Sequence, residues 1–259
     1  GAARLRRMNT AMARILKLTV GTFAVVWAGR GGYLRILLGP GLLVLVVEFL
    51  RGQGALSPSG AALLGTLYIF VYIEIAVSTH RLTLLGSGGE GSAMPKVGRR
   101  EARFGWNLCL MLLVVAAVIF AASLVLVVPL ILLQGGTPPE PGQGVIGLAS
   151  WLLFGLACYV SARLSLIFPA SAIDRPLTLM EAWRATGSHQ SLMLFITLVL
   201  PLVLGLPTLL LGDPTSIWVR IALQVPRLIT LTLVVTALSL TYAEIDRAGL
   251  IEAAKRSGK

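Results

Sequence analysis

Long apolar runs, each near the length of a bilayer crossing, alternate with short polar stretches along this chain. They fall at about 34–50, 60–79, 104–133, 145–168, 191–211 and 214–242. About 20 apolar residues in a helix cross a hydrocarbon core, so the pattern predicts an all-α membrane protein with six transmembrane helices. The punctuation agrees. Ser57-Pro58 reads as an N-cap followed by a first-position proline, opening the second span. Gly39-Pro40-Gly41 predicts a kink or close helix contact in the first. Gly135-Gly136-Thr137-Pro138-Pro139 stops the third, which is long enough to tilt. Pro169 is expected to end the fourth, Pro201 and Pro207 interrupt the fifth, and Asp213-Pro214 caps the sixth.

Two further segments carry a different pattern. Residues 9–30 place Arg14 and Lys17 near one face and Ile15, Leu16, Leu18, Val20, Phe23, Val26 and Trp27 around them. This reads as an amphipathic helix lying in the membrane interface; a first span competes, but only 18–28 is uncharged. Residues 178–187 hold a capping box, Thr178 with Glu181, and Gly187 as a C-terminal stop. A short interfacial helix is expected there. Trp27, Trp106 and Trp183 are the expected interfacial anchors.

Composition narrows the class. The 259 residues are 56% hydrophobic and 13% charged, with mean hydropathy +0.85, against roughly 25% charged in soluble domains. Six crossings use about half of the chain, so residues 1–259 are read as one polytopic membrane domain. The net charge of +11 is read as basic loops facing the cytoplasm and attracting anionic head groups, not as nucleic-acid binding. Of 22 basic residues, 19 lie in or beside the N-terminus, the 80–103 loop, the 163–189 region and the C-terminus. Arg51 alone lies opposite, and Arg220 and Arg227 fall inside the sixth span. Both termini are therefore expected in the cytoplasm. Arginine far outnumbers lysine amid abundant Ala, Gly and Leu, which fits a GC-rich bacterial genome and a bacterial inner (cytoplasmic) membrane.

Ionisable groups inside spans are the candidate chemistry, because burying charge in hydrocarbon is expensive. Glu74 and Arg163 both lie about six residues from the cytoplasmic ends of their spans, so equal depth predicts an ion pair between them. Arg220 and Arg227 are seven apart and share a helix face, making them candidate lipid or anion contacts. Arg220 is expected to meet Glu48 or Asp213. Arg227, preceded by Pro226, is expected to be the deeper, buried charge, with broken backbone at Pro201 or Pro207 as its alternative partner. His80 and His189 are expected at the cytoplasmic edge without the converging ligands of a metal site, and Cys109 and Cys158 as small buried hydrophobes. Gly86-Ser87-Gly88-Gly89-Glu90-Gly91 lacks a preceding strand and a closing Gly-Lys-Ser/Thr, and reads as a linker. No catalytic residues, cofactor or metal are expected.

Three stretches occur together: His80-Arg81-Leu82-Thr83-Leu84-Leu85-Gly86 with Gly98-Arg99-Arg100-Glu101-Ala102-Arg103-Phe104; Ala162-Arg163-Leu164-Ser165-Leu166-Ile167-Phe168-Pro169-Ala170; and Asp174-Arg175-Pro176-Leu177-Thr178-Leu179 with Ala182-Trp183-Arg184-Ala185-Thr186-Gly187. This arrangement resembles the YciC-like bacterial inner-membrane proteins and, more distantly, the membrane domain attached to some glycerophosphodiester phosphodiesterases. The resemblance covers most of 15–242. It implies a six-helix membrane fold without an established activity; the phosphodiesterase domain itself is absent. The leading expectation is a non-enzymatic accessory or assembly subunit of a larger membrane complex, partnered by other membrane subunits and by lipids. A transporter or lipid-handling protein using Glu74, Arg163 and Arg227 is the alternative.

Overall fold

The computed structural model of the chain describes residues 2–52, 57–86, 98–133, 144–211 and 216–256. Every regular element among them is helical. Six helices are long and apolar enough to cross a membrane: Arg30–Gly52, Pro58–Leu85, Arg99–Pro129, Gly147–Ala172, Gly187–Leu210 and Ile217–Arg247. The chain is a multi-pass helical membrane protein.

Helix α1 (Ala2–Ala28) begins earlier than the expected interfacial segment, and its side chains are described from Met12. One stripe, Ile15, Leu18 and Thr22, packs inward, while Met12, Leu16, Val20, Phe23 and Trp27 form an exposed apolar stripe at helical spacing. A turn at Gly29 joins it to α2 (Arg30–Gly52), which keeps Pro40 buried within one helix. Helix α3 (Pro58–Leu85) starts as expected. Ser57 is the N-cap, its Oγ accepting from the Gly60 N–H at 3.2 Å, with Pro58 at the first position. It ends at Leu85, six residues beyond the expected Thr79, where Gly86 at φ 66° closes the helix. The glycine-rich tract from 87 onward lies outside the described residues. Helix α4 (Arg99–Leu133) is the longest.

The fourth span ends differently from expectation. Helix α5 (Gly144–Leu164) stops before Ser165, and Pro169 lies inside a separate helix, α6 (Ile167–Ala172). Proline lacks an N–H, so the Ser165 carbonyl cannot be met four residues on. The Phe168 N–H takes it instead at 3.2 Å, and the break falls upstream of the proline. All of 162–172 is buried, so this irregular backbone is sheltered by protein rather than lipid.

Helix α7 (Leu179–Ala185) carries the expected capping box, the Thr178 N–H donating to Glu181 at 2.8 Å and the Glu181 N–H to Thr178 at 3.2 Å. Thr186, rather than Gly187, terminates it. The fifth span is composite: a 3₁₀ turn (Gly187–His189), α8 (Gln190–Leu194), a π-helical turn (Phe195–Val199) and α9 (Leu200–Leu210). Pro201 follows one residue after the π turn, where the Leu200 N–H reaches back to Phe195. The sixth span, α10 (Ile217–Arg247), begins after Ser216 at the N-cap; the expected Asp213-Pro214 cap lies outside the described residues. A final helix, α11 (Leu250–Arg256), follows Gly249 at φ 70° and buries Ile251 and Ala254. The expectation had only a charged tail here.

Helices α2, α3 and α10 form a mutually packed trio. The C-terminal end of α2 meets the start of α10, where a Cβ added to Gly52 would stand 2.7 Å from Ile217 Cγ1. This is the far end. At the opposite, basic end, α6, α7, α8 and α11 close around α3, α5 and α10. The principal core, with Leu166, Ile167, Met193, Ile196 and Ile245 each at most 1% exposed, lies in that half.

Candidate functional site

Polar side chains enter the apolar bundle at four places. The first is the far half of α10. Arg220, Gln224 and Arg227 fall four and three residues apart, hence along one side of the helix. Gln224 is fully buried. Tyr68 on α3 donates to its Oε1 at 2.7 Å, and the Tyr72 hydroxyl, 3.2 Å from that of Tyr68, completes a chain of three groups. The two phenol rings stack with centroids 4.8 Å apart. Gln224 Nε2 is buried without a hydrogen-bond partner among the described residues, as is Arg220 Nε.

Arg227 is placed differently from expectation, and Glu48, one of the two partners expected for Arg220, is engaged elsewhere. Arg220 reaches over Gly52, its nearest guanidinium nitrogen 2.9 Å from where a Cβ would be. Glu48, one turn earlier on α2, forms its ion pair with Arg51 at 4.0 Å, and Asp213 lies outside the described residues. Arg227 was expected to be buried and is exposed. Pro226 leaves α10 unbroken, and the three-residue step from Gln224 carries Arg227 past the α3 contact to the open surface.

Arg163 supplies the second place, and the expected Glu74 pairing is corrected. Its guanidinium donates to the Trp183 carbonyl and lies over the Trp183 ring, 4.5 Å from the centroid. Trp183 in turn meets Tyr159 edge-on at 5.7 Å. The Thr186 hydroxyl sits at the same joint, 3.0 Å from the Arg163 carbonyl and 2.9 Å from that of Ala182. The reason is helix pairing. Helix α5 packs on α4, α7 and α8, while α3 packs on α2, α10, α6 and α4. Equal depth did not make Glu74 and Arg163 neighbours. Glu74 is buried on α3, where Ser78 Oγ donates to its Oε1 at 3.4 Å. Trp183, half-buried under Arg163, is thus also held by contacts inside the fold.

The third place is a buried hydroxyl track between α2, α3 and α10. Ser239 gives its proton to the Val235 carbonyl at 2.9 Å, so His80 Nδ1–H donates to Ser239 Oγ at 2.7 Å. Tyr33 and Thr83 share a 2.9 Å bond nearby. His80 is 1% exposed and joins α3 to α10. His189 is also buried, its Nδ1 2.9 Å from Ser188 Oγ.

The fourth lies at the basic end. Asp174, at φ 60°, receives Arg100 Nε at 2.7 Å, Arg103 at 3.7 Å and Arg81 at 3.9 Å. Arg81 also donates to the Ala172 carbonyl at 3.1 Å. One carboxylate thus ties α3 and α4 to the turn after α6, leaving an excess of two positive charges at that point. Sequence reasoning missed Asp174. Its signal was an acid directly before Arg175, in a chain with Arg81, Arg100 and Arg103 at the same end.

Trp27 and Trp106 are exposed at the basic end, and Trp151 and Trp218 are exposed in the far half. The last two were missed, although aromatic residues near both ends of spans are the known signature of the two membrane boundaries. Cys109, expected to be buried, is exposed on α4. Among the described residues no group of three or more His, Cys, Asp and Glu converges as metal ligands do.

No protein-family model, curated protein or solved structure matches this chain. Its geometry is therefore what bears on function.

Proposed function

We propose that the chain is a non-enzymatic protein of a bacterial inner membrane, both termini cytoplasmic, that serves as an accessory or assembly subunit of a larger membrane complex. The observation that carries this reading is α4. From Gly105 to Pro129 none of its residues is buried, and beyond its basic end its main neighbour is α5. Ala116, Ala117 and Ala121 are exposed among larger apolar residues. Small residues gain little from lipid but let another helix approach closely, so the partner is another integral membrane protein. The orientation rests on Arg81, Arg100, Arg103 and Arg175 at one end. The exposed stripe of α1, opposite Arg14 and Lys17, fits an interfacial helix. The resemblance to YciC-like proteins supports the six-helix membrane fold on which this reading rests.

The test is the native mass after mild-detergent extraction from the protein's own membrane, together with cross-linking from Cys109. Co-migration with a cross-linked partner chain is expected. Migration at its own mass, with no protein cross-link from α4, overturns the reading. A second reading, handling of a lipid or anionic solute, is favoured by the Arg220–Gln224–Arg227 row. Substrate-dependent flux lost in Arg227→Ala would establish it.

A further inference from the structure

Beside the trio of helices, on the surface between α2 and α10, runs an apolar groove of about 250 Å³. Leu34, Leu38 and Leu42 form one wall, Val225 and Ile229 the other, and Gly41 the floor. The walls are half exposed, from 49% at Ile229 to 62% at Leu38. The floor exists because residue 41 has no side chain: a Cβ there would stand 3.4 Å from Leu228 Cδ1.

The groove has a length and a head. Its α2 wall extends from Leu34 to Leu45, about 16 Å at 1.5 Å per residue. That is about half of a 30 Å hydrocarbon core, hence one leaflet deep. One turn before Leu34 on the same helix face, at the basic end, stands Arg30. Its guanidinium donates to the Trp27 carbonyl at 3.3 Å and lies 5.5 Å from the Trp27 ring centroid. This bond uses one of five guanidinium donors, and the guanidinium fork matches phosphate geometry. Trp27, 73% exposed, is the kind of side chain that sits at head-group level.

We propose that this groove is a binding site for one anionic phospholipid of the leaflet at the basic end. An acyl chain lies along Leu34, Leu38 and Leu42, and the phosphate is held by Arg30 beside Trp27. The length argument selects a chain confined to one leaflet, and the arginine at the mouth selects the anionic head. Neither depends on the subunit reading; both rest on the membrane placement.

The experiment reconstitutes the full chain in phosphatidylcholine vesicles carrying spin-labelled phosphatidylglycerol or spin-labelled phosphatidylcholine, and reads the motionally restricted lipid. The native chain is expected to prefer phosphatidylglycerol. In Arg30→Gln that preference falls about fivefold, the worth of one interfacial basic residue, while the restricted chain remains. In Leu38→Trp, which fills the groove from an exposed position, the restricted fraction falls by one lipid per protein. Thermal unfolding of both variants serves as the folding control, and Leu42→Trp repeats the filling from a second wall position. Equal preference and equal restricted fraction across folded variants overturn the proposal. A chain that does not float with the vesicles overturns the membrane placement and the site together. A chain that floats alone and still shows the site leaves only the subunit reading to fall.

Discussion

Along α3, every residue from Ile73 to His80 is buried, whereas none from Pro58 to Phe70 is. Helix α10 repeats the contrast. Between Thr232 and Tyr242 only Val234 and Leu240 escape burial, while from Ser216 to Leu231 only Leu223, Gln224 and Leu228 are buried. The basic half holds together by packing: short helices α6, α7, α8 and α11 fill the space between the spans and supply small buried residues such as Ala170, Ala172 and Ala182. The far half has no such filler, and α2, α3 and α10 are joined there by a small apolar cluster of Val44, Val71, Ile75 and Leu228 and by the polar contacts around Gln224. In lipid the hydrophobic drive between helices is weak, so contact is made where shapes interlock and lost where they do not. The difference comes from the breaks around Pro169, Thr178 and Thr186, which return chain to the basic end.

The sharpest way to break this contrast is a matched pair of truncations. Met193→Ala, at a fully buried position in the basic half, is expected to cost about 2–5 kcal/mol. Leu124→Ala on the exposed surface of α4 should stay within about 0.5 kcal/mol. Reversible unfolding in mixed micelles measures both, and equal losses would erase the distinction between the halves. Next in size is Arg163→Ala. It removes a charged hydrogen bond and a ring contact at a buried site, about 2–3 kcal/mol together. Its signature is faster hydrogen exchange in α7; exchange unchanged there would mean that α7 is held without Arg163.

The far half is probed by a double-mutant cycle. Tyr68→Phe leaves the Gln224 amide without its donor and is expected to destabilise, whereas Gln224→Leu, which removes a buried amide nitrogen already lacking a partner, is expected to be neutral or stabilising. The coupling should lie at about 0.6–1.7 kcal/mol; a coupling of zero would mean that the bond does not fasten α3 to α10. Smallest is the Asp174 hub, whose side chains are 43–47% exposed apart from Arg81. Loss of its ion pairs costs at most about 1 kcal/mol and shrinks with salt. Because Asp174 sits at φ 60°, Asp174→Gly should be more stable than Asp174→Ala by about 1 kcal/mol. Equal stabilities would show that the turn does not depend on that conformation.

The spans were legible because an apolar run declares itself by length alone, and two helix starts because Ser57-Pro58 and Thr178 with Glu181 are local chemistry. The end of α5 was misplaced because a proline breaks the helix through the carbonyl it strands, four residues upstream. Helix α11 was hidden because two apolar positions, Ile251 and Ala254, are too few to show a period. The site was harder to read. Glu74 and Arg163 share a depth, but which helices are neighbours is decided by packing that no single span encodes. Arg220 and Arg227 were correctly set on one side of one helix; which of them would face outward depended on where α3 and α2 press against α10.

The length of α4 has a mechanical consequence. Its 35 residues measure about 52 Å from end to end, against roughly 30 Å of hydrocarbon. A rod that long either leans or pushes its tips into water, and how far it leans follows the thickness of the film around it. With its foot fixed near Asp174 and α5 its main neighbour above, the lean of α4 should follow bilayer thickness, steeper in a thick membrane and flatter in a thin one.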